Sequence, residues 1–250
     1  MKIYPQPIYD LDELARYNLH IHTAFSACAQ PEMTAKAIVK TAEKAGLVQI
    51  ALTDHYDHFD RDKDYLAQMD ALKIACAEMN PKIKVLFGFE LSCYGVGKFL
   101  EKDETNQALD YRLVSCNHYD RPWWDKPEDK SPRGCAVHTM RIVKSALESK
   151  RYDCVAHPLI GRFCRHLEDR TEVTKAMTDN ELGEICELAA KTETALELNT
   201  GAVRGDPALF RRLWNLGREV GTTFHYGTDA HSLGYIDTGR NLPEIKKILA

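Results

Sequence analysis

Imidazoles and carboxylates recur through this chain in short, similar settings: His20 and His22 in NLHIH, Asp54 and His55 in IALTDH, Glu90 in FGFE, His118 in SCNH, His157 in CVAH, Glu197 and Asn199 in LELN, and Asp229 and His231 in GTDAH. A lone histidine in a strand is usually a packed or surface residue, and His58, His138, His166 and His225 read that way. Recurrence at the end of one apolar run after another is different. Imidazole mixed with carboxylate is a ligand set that zinc, manganese and iron all accept. The chemistry expected of these residues is therefore metal-assisted, provided the fold brings them together.

The runs that precede them are strands. Residues 17–22, 48–53, 83–90, 111–116, 152–157, 194–199 and 222–227 are short and apolar, as suits parallel strands covered on both faces. Helical spacing separates most of them, over 32–45, 65–79, 135–149, 180–192 and 207–220. About seven strands alternating with helices imply an α/β fold with a parallel sheet, and over this length a closed (β/α) barrel. Such a barrel gathers the C-terminal ends of its strands at one mouth. No linker, repeat or low-complexity stretch divides residues 1–250, so one domain is expected.

Composition narrows the function. The formal net charge of −4 argues against a general nucleic-acid binder, which would show a basic stripe. The N-terminal residues carry no apolar signal core, and no run approaches the roughly 20 apolar residues of a membrane span. A cytoplasmic protein without a membrane partner is expected. The eight cysteines are scattered and none forms a C-x-x-C pair, so most should be free, buried thiols.

In order along the chain, NLHIHTAFSAC, IALTDHYD, GFEL, SCNH, VAHP and YGTDAHS resemble the polymerase-and-histidinol-phosphatase (PHP) family, over residues 20–232. The combination of H-x-H-T, T-D-H and T-D-A-H-S is specific. The resemblance implies a distorted seven-stranded (β/α) barrel and two or three divalent ions of zinc, manganese or iron. It would place His20, His22, Glu90 and Asp229 on a first metal. Glu90 would bridge to a second metal held by His118 and His157, and a third would sit on His55 and His231. Phosphatase members supply a further histidine to that third metal, six residues after the second histidine of H-x-H. Here the position is Cys28, which could ligate zinc as thiolate or remain an ordinary thiol.

A cluster of this kind suits phosphate ester hydrolysis, because cations stabilise hydroxide at neutral pH and neutralise phosphoryl charge. Glu90, Asp229 and His231 are the expected catalytic residues; His231 or a bound water would protonate the leaving group. Asp54 and Asn199 are candidates to orient the ligands. Arg204 after LELNTG, and Arg162 and Arg165 after VAHP, are candidates to clamp a phosphate. The loop from 119 to 133 carries Trp123 and Trp124, which could wall a substrate or pack onto the rim. The expected substrate is a small phosphorylated metabolite. By resemblance it is L-histidinol phosphate, which would tie the chain to histidine biosynthesis. A nucleotide phosphatase or nuclease on the same cluster, and a non-catalytic metal-binding module, are the alternatives.

Overall fold

A computed structural model describes residues 3–250. Strands β1 (Tyr17–Ile21), β2 (Gln49–His55) and β3 (Lys84–Gly95) open the sheet, and β4 (Lys98–Phe99) folds back antiparallel on the end of β3. Strands β5 (Tyr111–Ser115), β6 (Cys154–Val155), β7 (Ala195–Asn199) and β8 (Phe224–Gly227) complete it. Apart from β4 the strands are parallel, in the order β1-β2-β3-β5-β6-β7-β8. A parallel bridge from Ile21 to Ala230 brings the two edges together, and the His22 amide donates to the Ala230 carbonyl at 3.0 Å. The result is the expected α/β barrel of seven parallel strands, nearly closed.

Helices α2 (Ala35–Lys44), α3 (Asp62–Ala77), α5 (Pro132–Ser149), α7 (Asp179–Thr192) and α9 (Pro207–Val220) supply the outer layer. Their starts follow capping chemistry more than apolar spacing. Helix α2 begins after Thr34, whose hydroxyl accepts from the Ala37 amide, so 32–34, part of the expected helix, lie outside the observed one. Ser131 caps α5 three residues earlier than apolar spacing suggests, with Pro132 in the first turn. Thr178 and Glu181 form a reciprocal capping box on α7. Five short helices were not expected: α1 (Leu11–Leu14), α4 (Asp103–Gln107), α6 (Glu172–Lys175), α8 (Thr200–Gly205) and α10 (Leu242–Leu249). Among the described residues no helix is long and apolar enough to cross a membrane.

Strand parity sorts the side chains. Ile50, Leu52, Phe89, Val114, Val155, Leu196, Leu198 and Tyr226 pack outward beneath the helices. Ala51, Leu86, Tyr111, Leu113, Cys154, Ala156 and Ala195 form a separate, compact cluster inside the barrel. Continuing the inner parity toward the C-terminal ends gives His55, Glu90, Glu197 and Asn199. In β1 the register shifts between Asn18 and Ile21, so one extra residue opposes β2. That bulge lets Leu19 join the inner cluster while His20 and His22, of opposite parity, also face inward.

Gly88, on the inner face of β3, pairs with Tyr111; a Cβ there would lie 1.8 Å from the Tyr111 carbonyl oxygen. Backbone cannot yield as a side chain can. Gly88→Ala is expected to destabilise the fold by about 1–3 kcal/mol or more, with Tm falling roughly 2–4 °C per kcal/mol in thermal unfolding.

Candidate metal centre

The inner faces of the strands end in one buried constellation. His55 and Glu90 are register partners on adjacent strands, and His55 Nδ1 lies 2.9 Å from Glu90 Oε2. The other Glu90 oxygen faces His157 Nε2 at 3.0 Å and His118 Nε2 at 3.5 Å. Asp229 Oδ1 is 3.0 Å from His22 Nε2 and 3.4 Å from His20 Nε2. Eight of the nine expected ligands therefore meet around Glu90 and Asp229, and the ninth, Cys28, stands at the solvent edge beside His55 and His231. His157 and Asp229 adopt left-handed backbone (φ 27° and 54°), sparsely populated for residues with a side chain.

The tautomers follow from the partners. His20 Nδ1 donates to Glu197 Oε1 at 2.8 Å. The Ser26 hydroxyl donates to Asp54 at 2.6 Å, so it accepts the His22 Nδ1 proton at 3.3 Å. His231 Nδ1 donates to the Asp229 carbonyl at 2.7 Å. With those protons committed, the Nε2 atoms of His20 and His22 face each other at 3.1 Å and need a positive charge in common. Without metal that charge is a proton on His20. Burial disfavours it, but the Glu197 and Asp229 carboxylates outweigh burial and raise the His20 pKa well above its ordinary value. Burial and the neighbouring His55 push His22 down to about 4. Burial also takes His118 down to about 3, leaving a neutral imidazole. Against their own burial, Glu90 is held well below the carboxylate range by His55 and His118, and Asp229 by His20 and His22. A divalent cation meets the same demand with better geometry, so the residues fit a metal.

Three overlapping groups place one ligand atom per residue within 4.8 Å of one another: His20, His22 and Asp229; His55, Glu90 and His118; and His22, Cys28, His55 and His231. The last includes the thiol in place of the histidine expected of phosphatase members. Burial raises the Cys28 pKa, but hydrogen bonds from His231 and His55 prevail and bring it to about 6.

A surrounding shell fixes these groups. Glu197, noted in the sequence only as a strand-end carboxylate, accepts from His20 and, through Oε2, from the His157 amide at 2.6 Å. It thus orients two ligands, a role that inner-face parity on β7 could have indicated. Asn199 donates to Glu197 at 3.3 Å and caps α8 through the Ala202 amide, combining an orienting and a capping role. Asp54 accepts from the Thr23 amide and hydroxyl as well as from Ser26, locking the turn after β1. Ser26 left no signal in the sequence.

A cavity of about 340 Å³ opens beside the cluster, lined by Cys28, Arg162, Asn199, Arg204, Asp229 and His231. Arg162 also borders an adjoining cavity of similar size that contains His157 and Arg170. Arg204 pairs with Glu244 at 2.7 Å, both half-exposed. Arg165 instead faces Asp120 at 3.4 Å and lines neither cavity. Trp124 is buried against His118, and Trp123 packs on Phe59 and Tyr94, so the tryptophan pair packs onto the rim. A larger groove of about 740 Å³, between the β4 hairpin and α5, contains none of the ligands. His225 is buried on the Tyr111 hydroxyl at 2.8 Å, and His58, His138 and His166 lie outside the cluster, as expected.

A family model described as PHP domain matches residues 18–201. The DNA polymerase/3'-5' exonuclease PolX of Bacillus subtilis (strain 168) is 27% identical over 231 residues, 88% of this chain and 35% of that protein. The chain thus spans about a third of the length of that relative. Among solved structures, HisK of Listeria monocytogenes, a proposed histidinol phosphatase, superposes with a TM-score of 0.67 at 14% identity, covering 90% of this chain and 98% of that one. Structures described as YwqE from Bacillus subtilis and CpsB from Streptococcus pneumoniae, metal-dependent tyrosine phosphatases, match with a TM-score of 0.54 at 17% identity, over 92% of this chain and 86% of the other.

Glu197 touches no proposed metal directly, yet two ligands depend on it. Glu197→Ala is expected to lower metal affinity roughly 10–100-fold in a chelator competition while the protein remains folded by circular dichroism. Unchanged affinity would show that His20 and His157 hold their orientation without it.

Proposed function

Because the chain belongs to the PHP domain family, we propose that it is a metal-dependent phosphoesterase acting on a small phosphate monoester, with L-histidinol phosphate as the favoured substrate. The observation that carries this reading is the shared demand for positive charge between His20, His22, Asp229 and Glu90, at the floor of a cavity flanked by arginines. A cavity of about 340 Å³ suits a metabolite.

Divalent cations held there would activate water as nucleophile and neutralise charge on the phosphoryl oxygens. The chain's own residues do the rest. Glu90 and Asp229 supply the anionic ligands, and the histidines supply neutral ones. Arg204 and Arg162 offer guanidinium forks to the phosphate oxygens. Its exposed ion pair with Glu244 holds Arg204 only weakly, so a phosphate dianion can displace that partner. The His231 Nδ1 proton is committed to the Asp229 carbonyl, so Nε2 faces the cavity as a ligand atom. Protonation of the leaving oxygen then falls to solvent in the cavity.

A second reading, a nucleotide phosphatase or nuclease, is favoured by Arg162 and Arg170 in the adjoining cavity, which would suit a second anionic group. The relationship to PolX, described as a 3'-5' exonuclease, points the same way.

A panel of phosphorylated metabolites, nucleotides and single-stranded DNA, assayed on metal-reconstituted protein, separates the two. Preferential turnover of L-histidinol phosphate is expected. If it is cleaved no faster than unrelated phosphates, the specific substrate is wrong; if nucleotides or DNA lead, the second reading replaces the first. Arg204→Ala should raise KM about tenfold, a loss of ~1.4 kcal/mol, with kcat little changed, because a static phosphate contact serves ground state and transition state alike. An unaltered KM would remove Arg204 from the substrate's surroundings.

A further inference from the structure

We infer that Cys28 makes the solvent-facing end of the cluster a thiolate site that selects zinc over manganese, unlike the nitrogen-and-oxygen sets beneath it. The inference rests on the metal-binding reading above and concerns one position within it.

Cys28 is the exception among the cysteines. The other seven are buried, whereas Cys28 is exposed at the barrel mouth. Its sulfur lies within 4.8 Å of ligand atoms of His22, His55 and His231. The one lone pair of His22, on Nε2, is directed to the His20 and Asp229 site, so the donors proper to this end are the imidazoles of His55 and His231 and the thiol, with no carboxylate. The other two groups contain Asp229 or Glu90 and no sulfur.

The thiol is held there by its loop. The Gln30 amide donates to the His231 carbonyl at 2.9 Å, and the Ala29 amide to the Ser26 carbonyl at 2.9 Å. Ser26 is in turn fastened to Asp54 at 2.6 Å and receives the His55 amide at 3.2 Å. Cys28 is therefore tied through its loop to the backbone of both half-buried histidines, His55 and His231. His22 is fully buried and stacks on His231 with ring centroids 4.3 Å apart, which closes the inner side. Cys28 and His231 border the cavity that holds Arg204, so an ion bound by them faces the arriving phosphate. Thiolate is a soft ligand; with imidazole it favours zinc and cobalt, whereas manganese favours oxygen.

The test uses the whole 250-residue chain loaded with metal alone. Cobalt(II) reconstitution of the wild type should give a thiolate-to-cobalt charge-transfer band in the near ultraviolet. Cys28→Ser should lack the band, and Cys28→His should lack it while binding as much cobalt as the wild type. After dialysis against equimolar zinc and manganese, elemental analysis should find about one zinc fewer per chain in Cys28→Ser than in the wild type. Zinc-edge X-ray absorption on the wild type should show a sulfur neighbour at about 2.3 Å. Cobalt bound without the band, a band that survives Cys28→Ser, or a zinc edge without sulfur each overturns the inference. These readouts need no turnover: a sulfur-bound zinc with no ester hydrolysed would sink the phosphoesterase reading alone, and hydrolysis without sulfur ligation would sink this one alone.

Discussion

The structure is organised around a buried excess of lone pairs. Glu90, Asp229 and the imidazoles of His20, His22, His55, His118 and His157 converge where water is largely excluded, and carboxylates in such a place are costly unless positive charge accompanies them. Protons can meet part of the demand, as the raised His20 and His55 show, but each proton occupies one nitrogen and blocks it as a ligand. Cations meet it without that conflict. Left-handed backbone at His157 and Asp229, and the bulge that turns both His20 and His22 inward, are local costs that the remaining fold offsets.

That offset comes from the opposite end of the barrel. Below the ligands the interior is filled by Leu19, Ala51, Leu86, Leu113, Cys154, Ala156 and Ala195, and outside it the helices bury a continuous apolar layer. The two ends divide the work by strand parity: the same inner face is apolar at its start and polar at its finish. Gly227 marks the boundary. A Cβ there would stand 2.2 Å from Glu197 Oε1 and 2.8 Å from His20 Cβ, so the absence of a side chain on β8 is what lets Glu197 reach across to His20.

Much of this was legible in the sequence, for a physical reason. Parallel strands covered on both faces are written as apolar runs, and a barrel mouth collects whatever follows each run, so His20, His55, Glu90, His118, His157 and Asp229 could be read as neighbours. Less legible were features set by single hydrogen bonds or by contacts distant in sequence. The Thr34 cap, not apolar spacing, starts α2, and β3 continues past Glu90 because β5 pairs with it as far as Ser92 and β4 pairs with Cys93 and Gly95. Arg165 stands in the expected segment but finds Asp120, a choice between two exposed partners that no spacing encodes. Glu197 was visible as an acid at a strand end; its reach to His20 depends on Gly227 thirty positions later.

The candidate ligands and the cavity beside them are also one mechanical unit. Glu197 holds His20, Asn199 holds Glu197, and the other end of the same Asn199 amide caps the short helix α8, which carries Arg204. A displacement of β7 relative to the cluster would therefore move the helix that presents the guanidinium. On the far side, the loop bearing Cys28 is bonded to His231, two residues beyond Asp229. The two walls of the cavity are thus each fastened to a candidate metal ligand rather than to the outer helices. Changes on the outer surface can then leave the spacing between guanidinium and cluster intact, whereas an alteration to Asn199 or Glu197 reaches both.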